Sequence, residues 1–114
     1  MPGQDSTTFV LIRAMFNCGG LATAVTVTVK EQAAFGVVPF VIVVPMTTVR
    51  RGLSWHVEVE HDANNGLSET SYVQCELLRA VRREQLVRRL GPIDAATSAE
   101  VSDVLRTLLN LGRW

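Results

Sequence analysis

The chain has 114 residues, 47% apolar and 19% charged, with eleven basic and eleven acidic side chains that cancel. That length suits one domain with a single core, and the composition excludes whole-chain disorder and coiled coil. The longest apolar run, Val37 to Met46, is broken by Pro39 and Pro45 and falls well short of the ~20 residues a membrane span requires.

In chain order, Thr8 to Arg13 is a short β-prone run, and Cys18-Gly19-Gly20 predicts a turn. Ala22 to Lys30 alternates, with Val25, Val27 and Val29 on one face and Thr26 and Thr28 on the other, the period of a half-buried strand. Ala33-Phe35-Gly36 carries no clear preference. Pro39 to Met46 is continuously apolar and β-branched and predicts a buried strand, which Pro45 should end or place at an edge. Arg50-Arg51-Gly52 is a loop. Trp55 to Glu60 alternates again, with Trp55, Val57 and Val59 inward and His56, Glu58 and Glu60 outward.

Ala63-Asn64-Asn65-Gly66 predicts a turn using positive φ. Ser71 to Ala80 is a further strand, Arg82 to Arg88 one or two helical turns, and Gly91-Pro92 a break. Thr97 and Glu100 have capping-box spacing, and Val101, Val104, Leu105, Leu108 and Leu109 follow helical periodicity, with Gly112 placed for a C-terminal cap. The helix is expected over roughly 98–111. The pattern is mainly β (α+β): a small, strongly bent sheet or barrel with a C-terminal helix packed on it.

Two cysteines, Cys18 and Cys75, and two histidines, His56 and His61, have no metal-ligand spacing, so neither a metal nor a cofactor is expected. Both thiols are expected free in a reducing compartment, Cys75 as core filler. Met1-Pro2-Gly3-Gln4-Asp5 lacks a basic segment ahead of an apolar one, so no secretory signal is expected and the chain reads as cytoplasmic. Ten of the eleven bases are arginine, five of them within Arg79, Arg82, Arg83, Arg88 and Arg89. Such a patch suits phosphate, because a guanidinium presents a planar fork of donors, and it also suits a plain solvated face. No phosphate loop, dinucleotide fingerprint or nucleophile elbow is present, and His56 taken alone reads as a surface residue.

The ordered set Val43-Val44-Pro45-Met46-Thr47-Thr48, His56-Val57-Glu58-Val59, Gly66-Leu67, Ser71-Tyr72-Val73-Gln74-Cys75-Glu76, Leu78-Arg79-Ala80-Val81, Leu90-Gly91 and Glu100-Val101 through Leu109-Asn110-Leu111 resembles the MazF/PemK family of toxin ribonucleases. The resemblance covers about residues 40–112. It implies an SH3-like barrel with a C-terminal helix, divided here into divergent N-terminal strands over 1–35 and a toxin-like part over 36–112 within one domain, 1–114. It also implies a homodimer that cuts single-stranded messenger RNA without metal, held inactive by a MazE-like antitoxin lying in the RNA groove, with no membrane association.

Carried over by position, the resemblance implies catalytic roles for Thr47, Glu76 and Arg79, with Glu76 as base and Arg79 as phosphate contact or partner of Glu76. Thr48, Arg50, Arg51 and His56 are implied RNA contacts. The opening Met1 to Gly20 matches none of the family's opening segment, and Val38 stands where the family has a catalytic arginine. Arg13, Arg50 and Arg51 are the available substitutes. Two other readings stay open: a family member that binds antitoxin or RNA without cleaving, and an unrelated small β-barrel making protein contacts.

Overall fold

In a computed structural model the described residues are 9–18, 21–30 and 37–110. They form an antiparallel sheet of β1 (Phe9–Cys18), β2 (Leu21–Lys30), β3 (Phe40–Thr47), β4 (His56–Val59), β5 (Ser71–Gln74), β6 (Arg79–Arg82) and β7 (Leu86–Pro92), followed by helix α1 (Ala95–Leu108). The strand order is β4-β5-β3-β2-β1-β7, with β6 also paired to β3. The expected mainly β architecture with a C-terminal helix is the one observed. The expectations at Cys18-Gly19-Gly20, Ala33-Phe35-Gly36 and Gly112 lie wholly or partly outside the described residues.

β1 lies between β2 and β7, and its alternation feeds two cores. Phe9 and Leu11 pack with Val44, Met46, Val57 and Val101 beneath α1, whereas Val10, Ile12 and Ala14 pack with Val27, Val29 and Val43 on the other side. A strand buried on both faces loses its polar face, which is why β1 reads as a plain apolar run. Thr28 is also fully buried, so β2 is not the half-exposed strand its alternation predicts.

β3 departs further from expectation. Its N-terminal half is not buried throughout, since Phe40 and Ile42 are 59% and 53% exposed. Nor does Pro45 end the strand. β3 pairs with β6 at Phe40 to Val43 and with β5 at Met46 and Thr47, leaving Val44 and Pro45 between the two ladders on that side. A residue without an N–H is tolerated at such a change of partner.

The predicted strand Ser71 to Ala80 is two strands separated by a 3-10 turn, Cys75–Leu77. The helical turns expected over Arg82 to Arg88 reduce to one 3-10 turn, Arg83–Gln85, and Gly91-Pro92 belongs to β7 rather than breaking the chain. The Asn64-Asn65-Gly66 turn forms as expected. Asn65 is buried, its Oδ1 accepts from the Asp62 and Leu67 amides, its Nδ2 donates to Glu60 O, and Gly66 has φ +76°.

The helix begins three residues earlier than its capping-box spacing predicts. Asp94, not Thr97, is the N-cap, and its Oδ1 accepts from the Thr97 amide at 2.7 Å. The αL residue beyond the helix is Asn110, φ +58°. Buried Ser98 ties the helix to the sheet by accepting from the Phe9 amide at 3.2 Å. Asp94→Ala should therefore cost about 1 kcal/mol in urea or thermal unfolding, while Thr97→Ala, which keeps the backbone donor, should cost less.

The Thr97 amide, and then its hydroxyl, hold the Asp94 carboxyl below its ordinary range. A lowered native pKa contributes stability above the unfolded value near ~3.9. That contribution disappears as pH falls through the native value, so the stability difference between Asp94→Ala and wild type should shrink below about pH 4.

Candidate active site

The outer face of the β4-β5-β3 end of the sheet gathers most of the predicted site. Thr47 pairs with Tyr72, and Tyr72 in turn with Glu58. Cross-strand partners share a face, so these three form one row, with His56 and Gln74 the next pair along. Val57, Val73 and Met46 point the opposite way into the core. Strand alternation alone therefore separates a packed face from a polar one.

Past Thr47 the chain turns. The Thr47 hydroxyl accepts from the Val49 amide at 3.1 Å, starting a loop that passes through Gly52 at φ +68°. The loop carries exposed Arg50 and Arg51. Arg50, Leu53, Ser54, His56, Glu58 and Tyr72 surround an open cleft of about 300 Å³. Trp55, expected inward, stands in the turn and is 37% exposed.

His56 is not the surface residue that its strand position suggests. Its side chain is only 3% exposed, and its Nε2 lies 3.1 Å from Glu76 Oε2, whose own side chain is 34% exposed. With Nε2–H as donor, the imidazole holds one oxygen of Glu76, and the other has no hydrogen-bond partner among the described residues. His56 Nδ1 is buried without a hydrogen-bond partner among the described residues. The 3-10 turn after β5 places Glu76 above His56, and no alternation pattern can show this because the turn interrupts the strand.

Arg79 does not join Glu76. Its guanidinium lies over the Phe16 ring, 4.7 Å from the centroid, and its backbone pairs with Val43. Four residues of β3 separate that position from Thr47, about 13 Å at strand rise. Cys75 is buried, and burial, then the neighbouring Glu76 charge, push its thiol up to about 11. A thiol so protonated at neutral pH is a poor nucleophile, in keeping with a filling role.

Arg13 and Thr48 fall in a different cleft, of about 410 Å³, which also includes Thr26, Ser68, Glu69 and Arg88. Of Arg13 and Arg50, Arg50 lines the cleft beside the Thr47–Tyr72 row and Arg13 lines the other. Among the described residues no three His, Cys, Asp or Glu side chains are grouped to hold a metal, and no helix is long and apolar enough to cross a membrane.

Fold and site together define a small antiparallel β protein with a polar, arginine-bordered cleft at the open end of its sheet. A family model described as "PemK-like, MazF-like toxin of type II toxin-antitoxin system" matches residues 21–109. The chain belongs to this family. The match starts at Leu21, so it takes in β2 as well as the segment from residue 40 that carries the sequence resemblance.

Among solved structures the chain is similar to the Mycobacterium tuberculosis toxin MazF-mt6, with 26% identity, TM-score 0.70, and 90% of this chain and 99% of that one covered. It has the fold of the MazF in a MazE-MazF structure from Deinococcus radiodurans, with 23% identity, TM-score 0.75, and coverage of 96% and 97%. The fold is also that of a mycobacterial endoribonuclease in complex with its cognate antitoxin, with 22% identity, TM-score 0.67, and coverage of 92% and 94%. Comparison with curated protein sequences gives no match.

Proposed function

We propose that this toxin is a metal-independent endoribonuclease acting on single-stranded RNA. The ribose 2′-hydroxyl attacks the adjacent phosphate, the 5′-oxygen leaves and takes up a proton from solvent, and the products are a 2′,3′-cyclic phosphate and a 5′-hydroxyl. The observation that carries this reading is the His56–Glu76 contact beside the Thr47–Tyr72–Glu58 row. A half-exposed carboxylate held by a buried imidazole is positioned to take the 2′-hydroxyl proton. Thr47 donates to a non-bridging oxygen, and Arg50, across the cleft, offsets the charge that builds on the phosphorane-like transition state. Arg51 and Thr48 contact neighbouring phosphates. His56 acts through Glu76 rather than on RNA directly, because its ring is buried.

Purified protein should cleave a defined single-stranded RNA in EDTA and leave cyclic phosphate ends. Cleavage that requires added divalent metal, or that leaves 3′-hydroxyl ends, would rule out this mechanism. The reading of a member that binds without cleaving is favoured by one observation: Arg79 is held over Phe16, about 13 Å along β3 from Thr47. On either reading Arg79 serves as an RNA backbone contact, not as the catalytic acid.

The partners that accompany this function are a cognate MazE-like antitoxin, whose acidic segment would occupy the same arginine-bordered cleft, and a second copy of the chain. Support for the second copy comes from an apolar groove of about 510 Å³ where exposed Phe40 and Ile42 meet Leu78 and Leu105. Light scattering at tens of micromolar should give a dimer mass. A monomer mass would leave that groove without its proposed occupant.

A further inference from the structure

The second cleft, which shares Thr48 with the proposed site, contains an unbalanced arrangement of charge. Arg13 of β1 stands directly opposite Arg88 of β7, and on its other side opposite Thr26 of β2. Directly opposed residues have Cβ atoms about 5 Å apart, and like charges so placed repel. Arg13 is pinned, since its Nη1 donates to Thr26 Oγ1 at 2.7 Å. Arg88 makes no hydrogen bond or ion pair among the described residues.

The register of β7 slips on both sides of this region, skipping Leu90 between Gly91 and Arg89, and Val87 between Arg88 and Leu86. Bulges of this kind re-aim side chains and are common beside functional sites. Among the described residues the only acid lining the cleft is Glu69, so two guanidiniums and one carboxylate leave a net positive charge beside the hydroxyls of Thr48 and Ser68.

We infer that the Arg13–Arg88 cleft is an anion subsite that takes a backbone phosphate of the RNA strand, outside the scissile position. Two opposed guanidiniums lining one cleft match a tetrahedral oxyanion better than they match each other. Thr48, which directly follows Thr47 of the proposed active site, lines this second cleft. Naming RNA as the source of the phosphate rests on the function proposed above; the anion site itself rests on the opposed arginines.

The first test titrates inorganic phosphate into isotope-labelled protein and follows the Arg13 and Arg88 Nε–H signals and the Thr48 and Ser68 amides. Saturable shifts in wild type that vanish in Arg88→Gln are expected, together with a thermal midpoint raised by phosphate in wild type only. Absence of shifts at these groups overturns the site. Arg88→Gln removes an exposed charge facing a like charge, so its midpoint without phosphate should equal or exceed that of wild type.

The second test measures binding of a 2′-O-methyl oligonucleotide, which cannot be cleaved. Arg88→Gln should weaken it several-fold and reduce the slope of log K against log salt by about 0.7, the loss of one single-strand phosphate contact. Glu69→Gln should strengthen it. Unchanged affinity and slope in Arg88→Gln overturn the RNA assignment, as does displacement of phosphate by an acidic peptide but not by the oligonucleotide. Wild-type protein that binds the oligonucleotide through this cleft and never cleaves RNA would defeat the proposed catalysis and leave the subsite standing.

Discussion

Gly91→Ala is expected to destabilise the protein by about 3 kcal/mol or more, enough to remove most of the margin of a small domain. A Cβ at Gly91 would collide with the Asn64 carbonyl oxygen and lie 2.8 Å from Asn65 Cα. Both are backbone atoms, and Asn65 is itself locked by four hydrogen bonds to Glu60, Asp62 and Leu67. Neither side can yield, because β7 is paired to β1 at Leu11–Gly91. Chemical denaturation checks the size of the loss. A stable, normally folded Gly91→Ala would mean that the 62–66 turn does not pack against β7. Gly52→Ala is the useful contrast: nothing lies within 4 Å of the added Cβ, and only the left-handed backbone is strained.

Glu76→Gln is expected to lower the RNA cleavage rate about 100-fold or more while leaving RNA affinity close to wild type, since a neutral amide cannot accept the 2′-hydroxyl proton. Thr47→Ala should lose about 10-fold, again in turnover, as expected for a contact made mainly in the transition state. His56→Ala should fall between them, because it frees Glu76 without removing it, and His56→Gln should recover part of the loss by restoring a donor near Nε2. Arg79→Ala should weaken binding and flatten its salt dependence with little change in turnover at saturating RNA. Single-turnover cleavage with binding measured separately distinguishes these outcomes. Equal losses of affinity and rate in Glu76→Gln would make Glu76 a structural carboxylate and not a base.

How much of this was legible beforehand depends on the distance over which each feature is determined. The outward and inward faces of Val57 and Val59, the Asn64-Asn65-Gly66 turn and the apolar stripe from Val101 to Leu105 are set by neighbours within a few residues, so alternation, turn chemistry and helical spacing reveal them. The ordered residues from Val43 onward likewise carried the family, and with it Thr47 and Glu76 as candidates. Cap and burial assignments failed where two local signals competed. Asp94 and Thr97 are both good cap residues, and the earlier start is the one in which Asp94 caps the Thr97 amide and Ser98 docks against Phe9.

The site's working geometry belongs to the tertiary structure alone. His56 sits at an outward position of a four-residue strand, yet it is buried because the 3-10 turn at Cys75–Leu77 brings Glu76 over it from twenty residues away. Arg13 and Arg88 come from opposite ends of the chain and face each other only because β1 lies between β2 and β7. Local sequence determines which face a side chain takes. Which other chain segment covers that face, and with what charge, follows from long-range strand pairing, and periodicity within a short window carries no information about it.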